Sequence, residues 1–225
     1  MAESFGSVMD QSPLHGFRGE TSERERWPAG LTIAVSREAG ARGSSIARRV
    51  GRKLGWQVYD QDQIEFMSQT ESPTQALPEA AQAWTESWLR HLQERGSLSS
   101  DPTVVRLARL VLALAAQGEA VLIGRGAGHM LPVATTLHVR VVAPKSARIA
   151  YMKQLLRLTE DEAAEEVLRR DAGRAEFLRK HLHLRAHDPH PYDLFVNSGR
   201  LSEEACADLI TLAARAKLQQ WENEE

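Results

Sequence analysis

Hydrophobic and polar positions change period repeatedly from residue 31 onward. An apolar run with β-branched residues, Leu31, Ile33 and Val35, gives way to a polar Gly/Ser stretch over residues 36–45. From Ser44 the residues Ile46, Ala47, Val50 and Leu54 recur at helical spacing, and Gly55 marks the stop. The alternation then repeats to the C-terminus. Strands are predicted at residues 31–35, 56–59, 120–124, 136–142 and 192–197, and the unbroken apolar run AVLIG at 120–124 reads as a central parallel strand. Helices are predicted at 79–95, 103–117, 144–158, 160–182 and 202–221, with a short one after Asp60 and Asp62, either of which can cap it. Asp101-Pro102, the box Thr159-Glu162 and Ser202 supply further helix starts. Such alternation predicts an α/β domain over residues 31–225, with five parallel strands and helices on both faces. Residues 1–30 have no sustained period and are expected to be a disordered or loosely attached tail.

The polar stretch after the first strand changes this picture, because strand, glycine loop and helix start together make an anion site from backbone N–H groups. Against the pattern G-x-x-x-x-G-K-[ST] the match is partial. Gly40 takes a mid-loop place and Ser44 or Ser45 the metal-side hydroxyl, but Arg37 stands at the first glycine and Gly43 at the lysine. Arg37, Gly40, Ala41, Arg42, Gly43, Ser44 and Ser45 are the candidate phosphate-binding set. The competing account is an ordinary βα turn carrying solvated arginines. Asp60 and Asp62 follow a strand end, where open α/β sheets bind ligands, although capping accounts for at least one of them. Arg125 sits among Gly124, Gly126 and Gly128 at the end of the central strand. Arg170 and Arg174, one turn apart on a charged helix, either form a solvated face or clamp phosphates.

With 225 residues and a net charge of −2, the chain lacks the basic excess of a nucleic-acid scaffold, and its local arginine clusters suit a small anion. The longest strongly apolar run, residues 110–116, is too short to span a membrane, and Cys206 is the sole cysteine, as in a reducing cytoplasm. His181, His183, His187 and His190 match no trusted zinc spacing. Protein partners are not legible.

Taken in order, several stretches resemble the cytidylate kinase-like family of P-loop kinases. They are Val35-Ser36-Arg37-Glu38 with Gly40 and Gly43, Val58-Tyr59-Asp60, residues 121–126 through Gly124-Arg125-Gly126, Val142-Ala143-Pro144 with Arg148, Asp171-x-x-Arg174, and Tyr192-Asp193-Leu194 through Asn197. The resemblance implies a P-loop three-layer α/β/α fold with a helical lid at about residues 159–190. It implies transfer of the γ-phosphoryl group of ATP to a nucleoside monophosphate, CMP or dCMP, with Mg²⁺. Arg125, Asp171 and Arg174 would then serve the monophosphate, with Asp60 beside them, and Ser45 would stand by the β-phosphate and metal. The chain departs from the family pattern at the loop lysine, replaced by Gly43, and at the two aspartates of a D-G-R-D motif, replaced by Ile123 and Gly126. Arg42, and after it Arg37, is the expected substitute cation, and Arg42, Arg125, Arg170 and Arg174 are the expected catalytic set. The alternative is a nucleotide-binding or regulatory protein on the same fold.

Overall fold

A computed structural model describes residues 28–70, 77–185 and 188–223. The tail expected over residues 1–30 falls outside them as far as residue 27, as does His187. The described chain is already attached before residue 31, because the Ala29 N–H donates to the Ala116 carbonyl at 2.9 Å.

The strands are β1 (Thr32–Arg37), β2 (Gln57–Tyr59), β3 (Ala120–Ile123), β4 (Thr136–Val142) and β5 (Leu194–Asn197). The helices are α1 (Gly43–Leu54), α2 (Gln61–Thr70), α3 (Glu79–Glu94), α4 (Pro102–Gln117), α5 (Ala127–Met130), α6 (Lys145–Leu156), α7 (Glu160–Leu182) and α8 (Glu203–Asn223). The sheet runs β2-β3-β1-β4-β5, and every described pairing is parallel. Because side chains alternate along a strand, Ala120 and Leu122 face one core with α4, while Val121 and Ile123 face the other with α1 and α8. Each face therefore needs its own cover, and the result is the expected α/β/α sandwich with β3 and β1 at its centre. Helices α6 and α7 pack on each other through a separate small cluster, Ala39, Met152, Ala163 and Val167, beside the loop after β1.

Three details differ from the sequence expectation. The first strand does not stop at residue 35: Ser36 and Arg37 pair with Arg140 and Val141 of β4, so the ladder carries two polar residues to the rim. The helix expected to begin at Pro144 begins one residue later, with Pro144 in its cap. Helix α5 was not expected, since Gly124, Arg125 and Gly126 read as a turn. All three have positive φ, and the chain needs that bend before four residues of helix that hold Trp88 through the Met130 carbonyl at 2.8 Å. The expected caps at Asp101 and Thr159 and the left-handed Gly55 stop are present.

A buried histidine, His138, and a half-buried one, His129, join β4 to α5. His138 is 3% exposed, its Nδ1 lies 2.8 Å from the Pro191 carbonyl, and its ring meets His129 edge-on at 4.7 Å. Gly128 makes room, since a Cβ there would lie 2.3 Å from the His138 ring. Burial first, then neighbouring Arg140, lowers His129 to about 4, and burial first, then His129, lowers His138 to about 3. Both stay neutral in the folded chain at pH values where the unfolded chain binds protons. Their contribution is complete above about pH 6.5 and declines as pH falls, by up to about 1.4 kcal/mol per pH unit for each ring. Thermal unfolding followed from pH 6.5 to 5, above the carboxylate range, should show a falling midpoint, and His129→Gln should flatten that slope. A midpoint independent of pH in this window would show that the rings are not held neutral.

Candidate functional site

The carboxyl ends of β1, β2, β3 and β4 open into a cleft of about 910 Å³ roofed by α7. Eight arginines (37, 48, 125, 140, 148, 169, 170 and 174) and four carboxylates (Glu38, Asp60, Asp62 and Asp171) line it. The balance is strongly cationic in a chain whose net charge is −2.

Arg37 leaves the last position of β1 and passes between two glycines. A Cβ on Gly43 would lie 2.6 Å from the Arg37 Cβ, and one on Gly124 would lie 1.9 Å from its Nη1. The glycine at the lysine position is thus the space through which the Arg37 stem runs. Its Nη2 donates to Gln61 Oε1 at 3.2 Å. Burial first, then the charges of Arg174 and Arg125, lowers Arg37 to about 9, with Asp60 and Asp62 opposing, so it remains cationic at neutral pH.

Arg125 has φ 52° between two glycines, contacts the Glu65 carboxylate of α2 and lies 5.7 Å from the Phe177 ring of α7. Its Nε is buried and has no hydrogen-bond partner among the described residues. Arg174 reaches Asp171 Oδ1 at 3.3 Å. Both guanidiniums are lowered from the usual arginine value by burial first; Arg170 and Arg125 lower Arg174 further. All three cations are desolvated, and Arg37 and Arg174 are lowered further by neighbouring arginines even with Glu65 on Arg125 and Asp171 on Arg174.

The loop itself is closed. Gly40, with φ 79°, packs so tightly on α6 that a Cβ would lie 2.5 Å from the Arg148 carbonyl oxygen, and the Ala41 carbonyl accepts from Ser198 Oγ at 2.7 Å. Consequently Arg37 and Ser44 line the cleft, whereas Gly40, Ala41, Arg42, Gly43 and Ser45 do not. Arg42 caps α1 with φ 57°, and its guanidinium lies 3.9 Å from Glu203 and 5.0 Å from the Tyr151 ring centre. Asp60 caps α2, accepting from the Gln63 N–H at 3.1 Å, and also pairs with Arg48 at 3.0 Å while lining the cleft. Arg170 lies on the cleft rim and bonds Glu166 at 2.5 Å.

Sequence reasoning missed three contributors. Arg148 appeared only as a motif residue, yet it bonds the carbonyls of Ala143 and Ala39 and the Asp171 carboxylate. Ser36 lines the cleft with its Oγ 3.1 Å from His138 Nε2, and Phe177 backs Arg125. No spacing in the sequence links these residues, although the paired arginine and aspartate in α6 and α7 could have been tested as a cross-helix pair. Among the described residues no group of three His, Cys, Asp or Glu side chains can hold a metal ion. His181 lies 3.1 Å from Ser99, and His190 lies 2.7 Å from Asp188. No described helix is long and apolar enough to cross a membrane.

Fold and cleft together define a three-layer α/β/α protein of the P-loop type, with an arginine-lined cleft at the strand ends. Residues 32–200 match the cytidylate kinase-like family, and the chain belongs to it. An uncharacterized protein from Eubacterium ventriosum has a similar structure at 15% identity and TM-score 0.59, over 83% of this chain and 98% of that one. Weaker likenesses are TT1252 from Thermus thermophilus (16%, TM-score 0.47, 83% and 97%) and a shikimate kinase from Bacteroides thetaiotaomicron (13%, TM-score 0.46, 84% and 98%). No curated protein matches.

The packing of Arg37 predicts the fate of a restored lysine. Gly43→Ala and Gly43→Lys should each lower stability by about 1–3 kcal/mol, because the new Cβ meets the base of the Arg37 side chain rather than its flexible end. Urea unfolding tests this, and unchanged midpoints for both variants would show that the Arg37 stem does not fill the site.

Proposed function

We propose that this protein is a nucleotide kinase that transfers the γ-phosphoryl group of ATP to a nucleoside monophosphate of the CMP or dCMP type. The observation that carries the reading is the convergence of Arg37, Arg125 and Arg174, three desolvated cations, on one cleft under a helical roof. Phosphoryl transfer needs positioning and neutralisation of charge spread over the transferring group, and such cations suit both. In this reading Arg37 carries the charge that the loop lysine would supply, a role expected of Arg42 from sequence. Arg125 and Arg174 hold the monophosphate, and Ser44 at the start of α1 faces ATP. Mg²⁺ enters with ATP and needs only one or two carboxylates beside phosphate oxygens and water. Asp62 and Glu38 offer that donor type on the cleft, whereas Ser45 does not line it. The family supports the kinase class; the acceptor base rests on the resemblance alone.

A second reading, nucleotide binding without transfer, is favoured by Ile123 and Gly126 standing where metal-anchoring aspartates would be and by Gly40 of the loop facing α6. ADP release measured across all nucleoside monophosphates, beside thermal shifts with the same ligands, separates the two. Turnover supports transfer, and a shift without turnover supports the binder.

If transfer is found, Arg37→Ala should lower kcat about 10²–10³-fold, as loss of one transition-state charge partner does, while Arg42→Ala stays near wild type. The reverse ranking would return the role to Arg42. Arg125→Ala should weaken CMP binding by about 1.5–3 kcal/mol in titration calorimetry. Unchanged affinity would remove Arg125 from the acceptor site.

A further inference from the structure

The carboxylate of Asp171, on the roof helix α7, is held by donors from three segments at the edge of the cleft. Oδ1 accepts from the Ala39 N–H at 2.7 Å and from Arg174 Nη1 at 3.3 Å, and Oδ2 accepts from Arg148 Nη1 at 2.5 Å. Ala39 belongs to the loop after β1, Arg148 to α6 and Arg174 to α7. Arg148 is itself fixed, because its Nε bonds the Ala143 carbonyl at 3.1 Å and its Nη1 the Ala39 carbonyl at 3.2 Å, with only 12% of the side chain exposed. The three groups are therefore a preformed set of donors aimed at one point.

We propose that Ala39 N–H, Arg148 and Arg174 form a phosphate site that Asp171 fills as an internal stand-in, and that a phosphoryl ligand enters by displacing it. The chemistry of the donors carries the argument. A carboxylate and a phosphate present the same acceptor-only oxygens to N–H donors, and guanidinium forks accept either. The phosphate brings the larger charge. Burial first, then Arg170 and Arg125, lowers Arg174 despite its bond to Asp171, and Arg174 adds to the lowering of Arg37, so Asp171, with Glu38 3.5 Å from Arg148 Nε, leaves this group under-neutralised. A phosphate dianion in the same place adds negative charge where those cations converge. Asp171 is a direct tie between the roof and the Ala39 loop, so its release exchanges an internal bond for one made through the ligand.

Naming a phosphoryl group as the ligand rests on the kinase reading, but the test does not require transfer. Pyrophosphate is titrated calorimetrically into the full-length wild type, Asp171→Asn and Asp171→Ala, with Asp62→Asn as a control for simple loss of negative charge from the cleft. Amide exchange at Ala39 is followed in parallel. Pyrophosphate should bind the Asp171 variants at least about tenfold more tightly than wild type, the loss of one charged competitor. The gain for Asp62→Asn should be distinctly smaller. Ala39 exchange should rise in ligand-free Asp171→Asn and be slowed again by pyrophosphate. Equal or weaker binding by a folded Asp171→Asn, an equal gain from Asp62→Asn, or no pyrophosphate binding by any variant overturns the proposal. Absence of ADP release alongside tighter pyrophosphate binding would defeat the kinase reading and leave the site standing. Turnover with weakened Asp171→Asn binding would do the opposite.

Discussion

The arrangement of this cleft depends on where one guanidinium is allowed to run. Arg37 ends β1 and extends between Gly43 and Gly124, two positions at which a Cβ would meet it. A side chain at Gly43 would push the stem out at its base, and one at Gly124 would meet its tip. The corridor sets the cation on the rim of the sheet, facing Gln61 across the carboxyl end of β2. Burial there removes most of its hydration, and Arg125 and Arg174 add repulsion, which the nearby aspartates only partly offset. An isolated buried charge is costly, and several of one sign are worse, so the folded chain holds this cluster at a cost that an anion in the cleft would relieve.

Most of the architecture was legible in the sequence because the two cores are built from strict alternation. Leu122 and Val121 face opposite layers, and a run such as AVLI has no other stable place than mid-sheet. Helix starts were equally clear where a side chain makes the cap, as at Asp101 and Thr159. What the pattern did not show was helix α5, which is too short to carry a period and follows three successive left-handed residues. The site was legible only by neighbourhood. Arg37, Arg125 and Arg174 stood out because they follow strand ends or sit on the roof. The difference between Arg37 and Arg42 was invisible, since both lie in the same loop and their directions are decided by partners far away in sequence. Glu203 and Tyr151 draw Arg42 outward, and two glycines admit Arg37 inward. Gly43 read as a missing lysine; its packing shows a position that the arginine stem requires to be empty.

If Arg37 serves as proposed, moving the cation from the helix start to the strand end has a structural consequence for the loop. A lysine at the helix start places a compact point charge within the loop, and the loop must stay open around the phosphates it binds. An arginine is a planar fork with five donors, and from a strand end it meets the anion from the sheet side. The loop is then free to pack elsewhere, and here it does: Gly40 lies on the α6 backbone and the Ala41 carbonyl is tied to Ser198. The Ala39 N–H, just before this sealed segment, is turned toward α7 and holds Asp171. Arg148 bonds both the carbonyl of Ala39 and the carboxylate that its N–H holds, so loop, α6 and roof meet at one residue. A single carboxylate at that junction binds all three elements with three N–H donors, and these are the bonds that a phosphoryl ligand would take over under the displacement proposed above.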